Sequence, residues 1–146
     1  MEIRSYSKFD IAVGQIETAI TLYLNGGDSF SALTLAGASD ELLGKFLKKS
    51  GKTPAIESLG EALADIKKIH TGKSVTKKEG MNIANQIRNS VKHMNIQGDE
   101  VIQTDPKYAA HDMIMRCISN YHQLTQHYTD NMLAFLQKPL HPARKA

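Results

Sequence analysis

An all-α, up-and-down bundle of four to five helices is what this sequence predicts, and three observations carry the prediction. Apolar residues recur at steps of three and four through every long stretch, whereas strand-type alternation of β-branched residues is scarce. Tryptophan is absent and there are only 4 prolines, while Ala, Leu, Ile and Met are plentiful, a balance that favours helices over a sandwich or barrel. Capping residues, glycines and prolines fall between the periodic stretches, where helices should begin and end.

Phe9, Val13, Ile16, Ile20 and Tyr23 make the stripe of a first helix, which Asn25-Gly26-Gly27 terminates. Asp28 caps a second, with Phe30, Leu33, Ala36, Leu43 and Leu47 as its apolar positions and the small residues Ala32, Gly37, Ala38 and Gly44 allowing a neighbour to approach closely. After Ser50-Gly51, Thr53 as cap and Pro54 at the first helical position introduce a third helix carrying Ile56, Leu59, Leu63 and Ile66. Thr76-Lys77-Lys78-Glu79 reads as a capping box, opening a fourth helix with Ala84, Ile87, Val91 and Met94 on its stripe. Residues 95–104 lack a helical period and read as a loop with one short extended piece at 101–103. Asp105-Pro106 then starts a long fifth helix through Ala110, Ile114, Cys117, Tyr121, Leu124 and Tyr128, and Thr129-Asp130 restarts a short sixth through Met132, Phe135 and Leu136. Pro139 and Pro142 stop helical structure before a basic tail.

A chain of 146 residues buries roughly 68–70% of its unfolded surface, enough for one core. With no repeat and no dividing linker, residues 1–146 form a single domain whose ordered core runs from about 6 to 138. A lone cysteine gives no disulfide framework, and no apolar run approaches 18 residues, so a cytoplasmic protein without a membrane span is expected. The formal charge of +3 is small and reads as dispersed, which neither announces nor excludes a nucleic-acid partner.

Familiar site patterns fail on spacing. Gly72-Lys73-Ser74 ends like a phosphate-binding loop, but position 67 is Lys67 instead of the required glycine. No Glu-x-x-His pair exists for a dimetal centre, and histidines 70, 93, 111, 122, 127 and 141 show no His-x3-His spacing, so neither metal nor cofactor is expected. Cys117 reads as a small buried hydrophobe, with Tyr121 and Tyr128 beside it in the core and His122 and His127 at the surface. Asp40 and Glu41, beside the small residues of the second helix, read as solvated positions, although one of them could sit near the interior as an orienting carboxylate.

The fourth helix carries the candidate site. At 100° per residue, Asn82, Asn85, Gln86, Asn89, Lys92 and His93 share the face opposite the apolar stripe. A merely solvated face would favour Glu and Lys, so these amides point to a polar partner or ligand. Arg88 flanks that face, and the segment reads RNSVKH. Arg116 and His122 repeat a looser spacing without the polar residue after arginine.

An Arg-x4-His segment with a polar residue after the arginine, late in an all-helical chain, resembles the signature of the HEPN superfamily. The first helix and the Ala-rich LTLAGASDELLGK of the second resemble the first helical pair of that fold, and LTLAGASDELLG with the later KH resembles a group of uncharacterised bacterial proteins of this length. The resemblance implies a homodimer in which two copies of the motif face one cleft, and a metal-independent endoribonuclease that acts on RNA. In that scheme His93 exchanges a proton with the 2′-hydroxyl or the leaving oxygen, Arg88 stabilises the phosphorane charge and Asn89 positions the backbone. Some members of the superfamily are inactive, so the alternative expectation is a non-catalytic helical interaction or scaffolding protein.

Overall fold

The computed structural model describes residues 1–138 and 140. Among them are seven helices and no strand: α1 (Lys8–Leu24), α2 (Ser29–Lys49), α3 (Ala55–Thr71), α4 (Lys77–Ala84), α5 (Gln86–Lys92), α6 (Pro106–Thr125) and α7 (Asp130–Gln137). The all-α expectation holds. The count exceeds four to five because the predicted fourth helix is two, and the short restart after Tyr128 is a helix of its own. The predicted tail and its prolines lie outside the described residues, apart from Leu140.

The core is built by α1, α2, α6 and α7. Ile16 and Ile20 of α1 meet Leu33 and Ala36 of α2, Ile114 and Cys117 of α6, and Met132 and Phe135 of α7 in one buried cluster. Burying such side chains contributes about 1.5–3 kcal/mol each for the larger ones. The Ser39 hydroxyl donates to the Ala12 carbonyl at 2.8 Å, fastening α1 to α2 inside that core. Asp28 and Asp105 cap α2 and α6 through their carboxylates, and Thr76 with Glu79 forms the expected reciprocal box at α4.

The small residues of α2 do serve close approach, but of individual side chains. A methyl group on Gly37 would stand 2.7 Å from Cδ of Arg88, and one on Gly44 would stand 3.5 Å from Cβ of Pro54. The α3–α4 hairpin crosses more closely than any other glycine position of the chain: a Cβ on Gly80 would overlap the Gly60 carbonyl oxygen, so the two backbones touch directly. Beyond that crossing α3 projects, and every residue from Asp65 to Ser74 is exposed.

Several local expectations are corrected. Pro54 is the N-cap of α3 and not its first residue, because its ring is buried against Gly44 and the first helical N–H, that of Ala55, is taken by α6. Ile66, predicted on a buried stripe, is 51% exposed on the projecting arm. Met94 falls outside α5 and is 72% exposed, since the helix ends at Lys92. Residues 101–103 form no strand. Tyr128 follows α6 and stacks on the ring of His122 at the surface, its centroid 4.2 Å away; Tyr121 is partly buried and stacks on Phe9.

Candidate functional site

Helix α5 separates three openings, and the predicted site residues divide between them. Asn89, Ser90 and His93 line a polar groove of about 350 Å³, closed on its far side by Asn95, Asp99 and Gln103 of the following loop. That loop is folded by Asp99, whose carboxylate accepts the N–H groups of Asn95 and Ile96, both at 3.1 Å. His93 is the residue at which the helix stops, with its backbone extended at φ −127° and ψ 139° and its N–H still bonded to the Asn89 carbonyl. His93 also borders a second, more apolar opening with Phe30, Val91 and Met94.

Arg88 is elsewhere. Its stem lies across Gly37 of α2, its Nη1 donates to the Gly37 carbonyl at 3.4 Å, and its Nε is buried without an acceptor. The guanidinium lines a cleft of about 190 Å³ with Asp40, Glu41, Lys45 and Asn85. The chain thus brings Asn89 and His93 to one groove and sends Arg88 to another, as a 500° separation along a helix requires of residues five apart (about 140° net). Of the amide face, Asn82, Gln86, Asn89, Lys92 and His93 are exposed, while Asn85 has turned inward.

What turns Asn85 is a buried polar network. Arg116 of α6 and Asp40 of α2 form an ion pair at 2.5 Å, with side chains 5% and 4% exposed. The same Nη2 donates to Asn85 Oδ1 at 3.0 Å, and Nη1 donates to the Ala84 carbonyl at 3.4 Å. Asn85 is the junction between α4 and α5, so the guanidinium supplies donors to the groups an interrupted helix leaves open. On the other carboxylate oxygen Asn120 donates at 3.0 Å, and its own Oδ1 accepts the Ala55 N–H at 2.8 Å, capping α3 from another helix. Burial pushes the Asp40 carboxyl above its ordinary value, while Arg116 and, more weakly, Arg88 draw it down.

Asp40 is therefore the interior carboxylate of the Asp40–Glu41 pair; Glu41 stays exposed, held below its ordinary value mainly by the hydrogen bond from Lys45. Asn120 has no role assigned from sequence, Arg116 stands there only in a looser spacing with His122, and Asn85, expected on the outward amide face, belongs instead to this interior network. The available signal was positional: Met113, Arg116 and Asn120 fall at three and four residue steps on the inward side of α6, where a polar residue needs a partner. Cys117, on that same side, is fully buried, and its thiol donates to the Ala36 carbonyl at 2.9 Å. Among the described residues no cluster of three or more His, Cys, Asp or Glu could hold a metal ion, and no helix is long and apolar enough to cross a membrane.

Compared with protein-family models, with curated proteins and with solved structures, the chain matches none.

Proposed function

We propose that this chain is a HEPN-like helical-bundle protein that acts on RNA in the cytoplasm as a homodimer and cleaves it without a metal ion. The observation that carries the reading is the open polar groove in which the terminating residue of α5, His93, stands with Asn89 and Ser90. An imidazole there can take the proton of a 2′-hydroxyl as its oxygen attacks phosphorus, and the imidazolium of the second protomer can protonate the 5′-oxygen as the P–O5′ bond breaks. The products are a 2′,3′-cyclic phosphate and a 5′-hydroxyl. Asn89 holds a phosphate oxygen or backbone group in the same groove. Arg88 serves from across the two-fold axis, its guanidinium meeting the phosphorane charge formed beside the partner copy's groove.

A second reading, a non-catalytic interaction protein, is favoured by one feature: Arg88 spends its stem and one N–H on Gly37, in a cleft apart from His93. In that reading the exposed amides Gln86 and Asn89 bury a protein interface. Incubating the protein with mixed RNA in excess EDTA separates the two. The ribonuclease reading expects cleavage that falls by roughly 10²-fold or more in Arg88→Ala and in His93→Ala. Intact RNA, or cleavage indifferent to both substitutions, removes it. A dimer seen by light scattering that Gln86→Glu with Asn89→Glu dissociates, without any cleavage by the parent, supports the second reading instead.

A further inference from the structure

Residues 66–78 carry a local excess of positive charge. The whole sequence carries +3, yet residues 66–78 contain Lys67, Lys68, Lys73, Lys77 and Lys78 and no acid, so the remainder sums to 3 − 5 = −2. This segment is the projecting tip of the α3–α4 hairpin, with the last two turns of α3 exposed on every side.

We propose that this tip is a docking surface for single-stranded RNA, its lysines contacting phosphates of the strand whose scissile bond lies in the His93 groove. The inference rests on the reading above for its choice of polyanion, and on charge for the rest. Two lysines outside the tip are paired, Lys45 with Glu41 and Lys48 with Glu57. At the tip, Lys77 is held by Glu57 and Glu61, and Lys67 feels Glu79. Lys68, Lys73 and Lys78 have no carboxylate partner among the described residues, so their charge is available to a ligand.

The surface is also preformed. Gly72 ends α3 in the left-handed region at φ +67°, the capping box starts α4, and the Gly60–Gly80 contact fixes how the two helices cross. A ligand therefore meets lysines on a stiff support, and little ordering entropy is spent on binding. From Lys78 the chain runs through α4 and α5 to His93, 15 residues and at most about 22 Å at roughly 1.5 Å per residue, a distance that a few nucleotides of one strand span. A membrane surface fits less well. An interfacial helix seats a broad apolar face, often with aromatic residues. Here only Ile66 and Ile69 are large, apolar and exposed on the arm of α3, and no aromatic residue occurs between Thr53 and Gly98.

The test is fluorescence anisotropy of a labelled 2′-O-methyl RNA 20-mer, which lacks the 2′-hydroxyl nucleophile and so reports binding apart from cleavage. The parent is compared with the triple variant Lys68→Gln, Lys73→Gln, Lys78→Gln, both first checked for parental helicity and melting. Three lost phosphate contacts should reduce the slope of log K against log salt by about 2 and weaken binding about tenfold or more near 0.1 M salt. A triple variant with the parent's affinity and slope overturns the inference, as does a parent that binds phosphatidylserine vesicles and not RNA, or neither. Binding through the tip without any cleavage of ordinary RNA leaves the docking surface standing and removes the nuclease. Cleavage that depends on His93 in a triple variant of unchanged affinity does the reverse.

Discussion

Asp40 and Arg116, 76 residues apart in sequence, meet at 2.5 Å with their side chains almost wholly withdrawn from water, and through them four helices share one set of hydrogen bonds. Asn120 extends the set to the start of α3, and Asn85 extends it to the α4–α5 junction. A buried pair of this kind contributes little when compared with a well-packed apolar pair, but removing one partner strands the other. Arg116→Met should therefore cost about 3–5 kcal/mol, and Asp40→Leu with Arg116→Met should recover much of it. Urea unfolding of the two single variants and the double variant measures this. Single variants within about 1 kcal/mol of the parent would contradict a structural role for the pair.

Asn120 caps α3 at a distance, so its loss should be felt in a helix to which it does not belong. Replacing it with Ala leaves the Ala55 N–H and one Asp40 oxygen without a partner, at a cost of about 1–3 kcal/mol. Hydrogen exchange should locate the effect. The Ala55 amide is expected to exchange faster relative to amides of α1, and unchanged protection there would show that the amide finds another acceptor.

Glu57 gives the hairpin a pH dependence whose sign can be worked out. Hydrogen bonds from Lys48 and Lys77 hold its carboxyl below the ordinary 4.5 of glutamate. Between the folded value and 4.5 the unfolded chain binds more protons, so stability falls as pH falls. The Glu57 contribution is complete above the ordinary value and is lost as pH drops through the folded one. Asp40, whose carboxyl burial raises, acts in the opposite sense: its contribution is full below its unfolded value and is lost as pH rises through the folded one. Thermal melts of parent and Glu57→Gln from pH 6.5 to 3 should converge toward the acid end. Parallel curves would mean that the lysine contacts do not act on stability.

Cys117 should be chemically silent until the chain opens. It has no exposed surface, and burial pushes its thiol well above the ordinary 9.0, with the Asp40 charge adding to the rise. Addition of a disulfide reagent at pH 8 should give no fast reaction with folded protein and a rate that follows unfolding as urea is added. Rapid stoichiometric labelling without denaturant would place the thiol at an opening that the fold does not provide.

The periodic stretches carried most of the fold in the open. Ile16, Leu33, Ile114 and Phe135 all sit where a three-to-four spacing placed them, because burial of apolar area is repeated along each helix and leaves a pattern. The break at Asn85 was illegible for the opposite reason: it depends on Arg116, 31 residues away, and no local rule encodes a guanidinium arriving from another helix. The same holds for Pro54, whose role was set by Gly44 and Asn120 and not by Thr53. The exposure of Asn82, Gln86, Asn89 and His93 was readable from helical spacing, whereas the inward turn of Asn85 depended on Arg116 and the direction of Arg88 on Gly37 being free of a side chain. The lysine excess of residues 66–78 was in plain view as a local sum, and was hidden by taking the charge over the whole chain.

The contact between Gly60 and Gly80 makes two distant codons answer for one another. With a carbonyl oxygen 1.9 Å from where a Cβ would be, position 80 cannot accept even alanine unless the helices part, and a methyl at 60 would press on Met81 at 2.5 Å. Overpacking of that kind costs about 1–3 kcal/mol or more. In a randomised library sorted for folded protein, position 80 should return glycine almost alone, while its solvent-facing neighbour Lys78 accepts nearly anything. Genetic drift in this hairpin is thereby channelled to its tip, where charge can be retuned without disturbing the crossing that carries it.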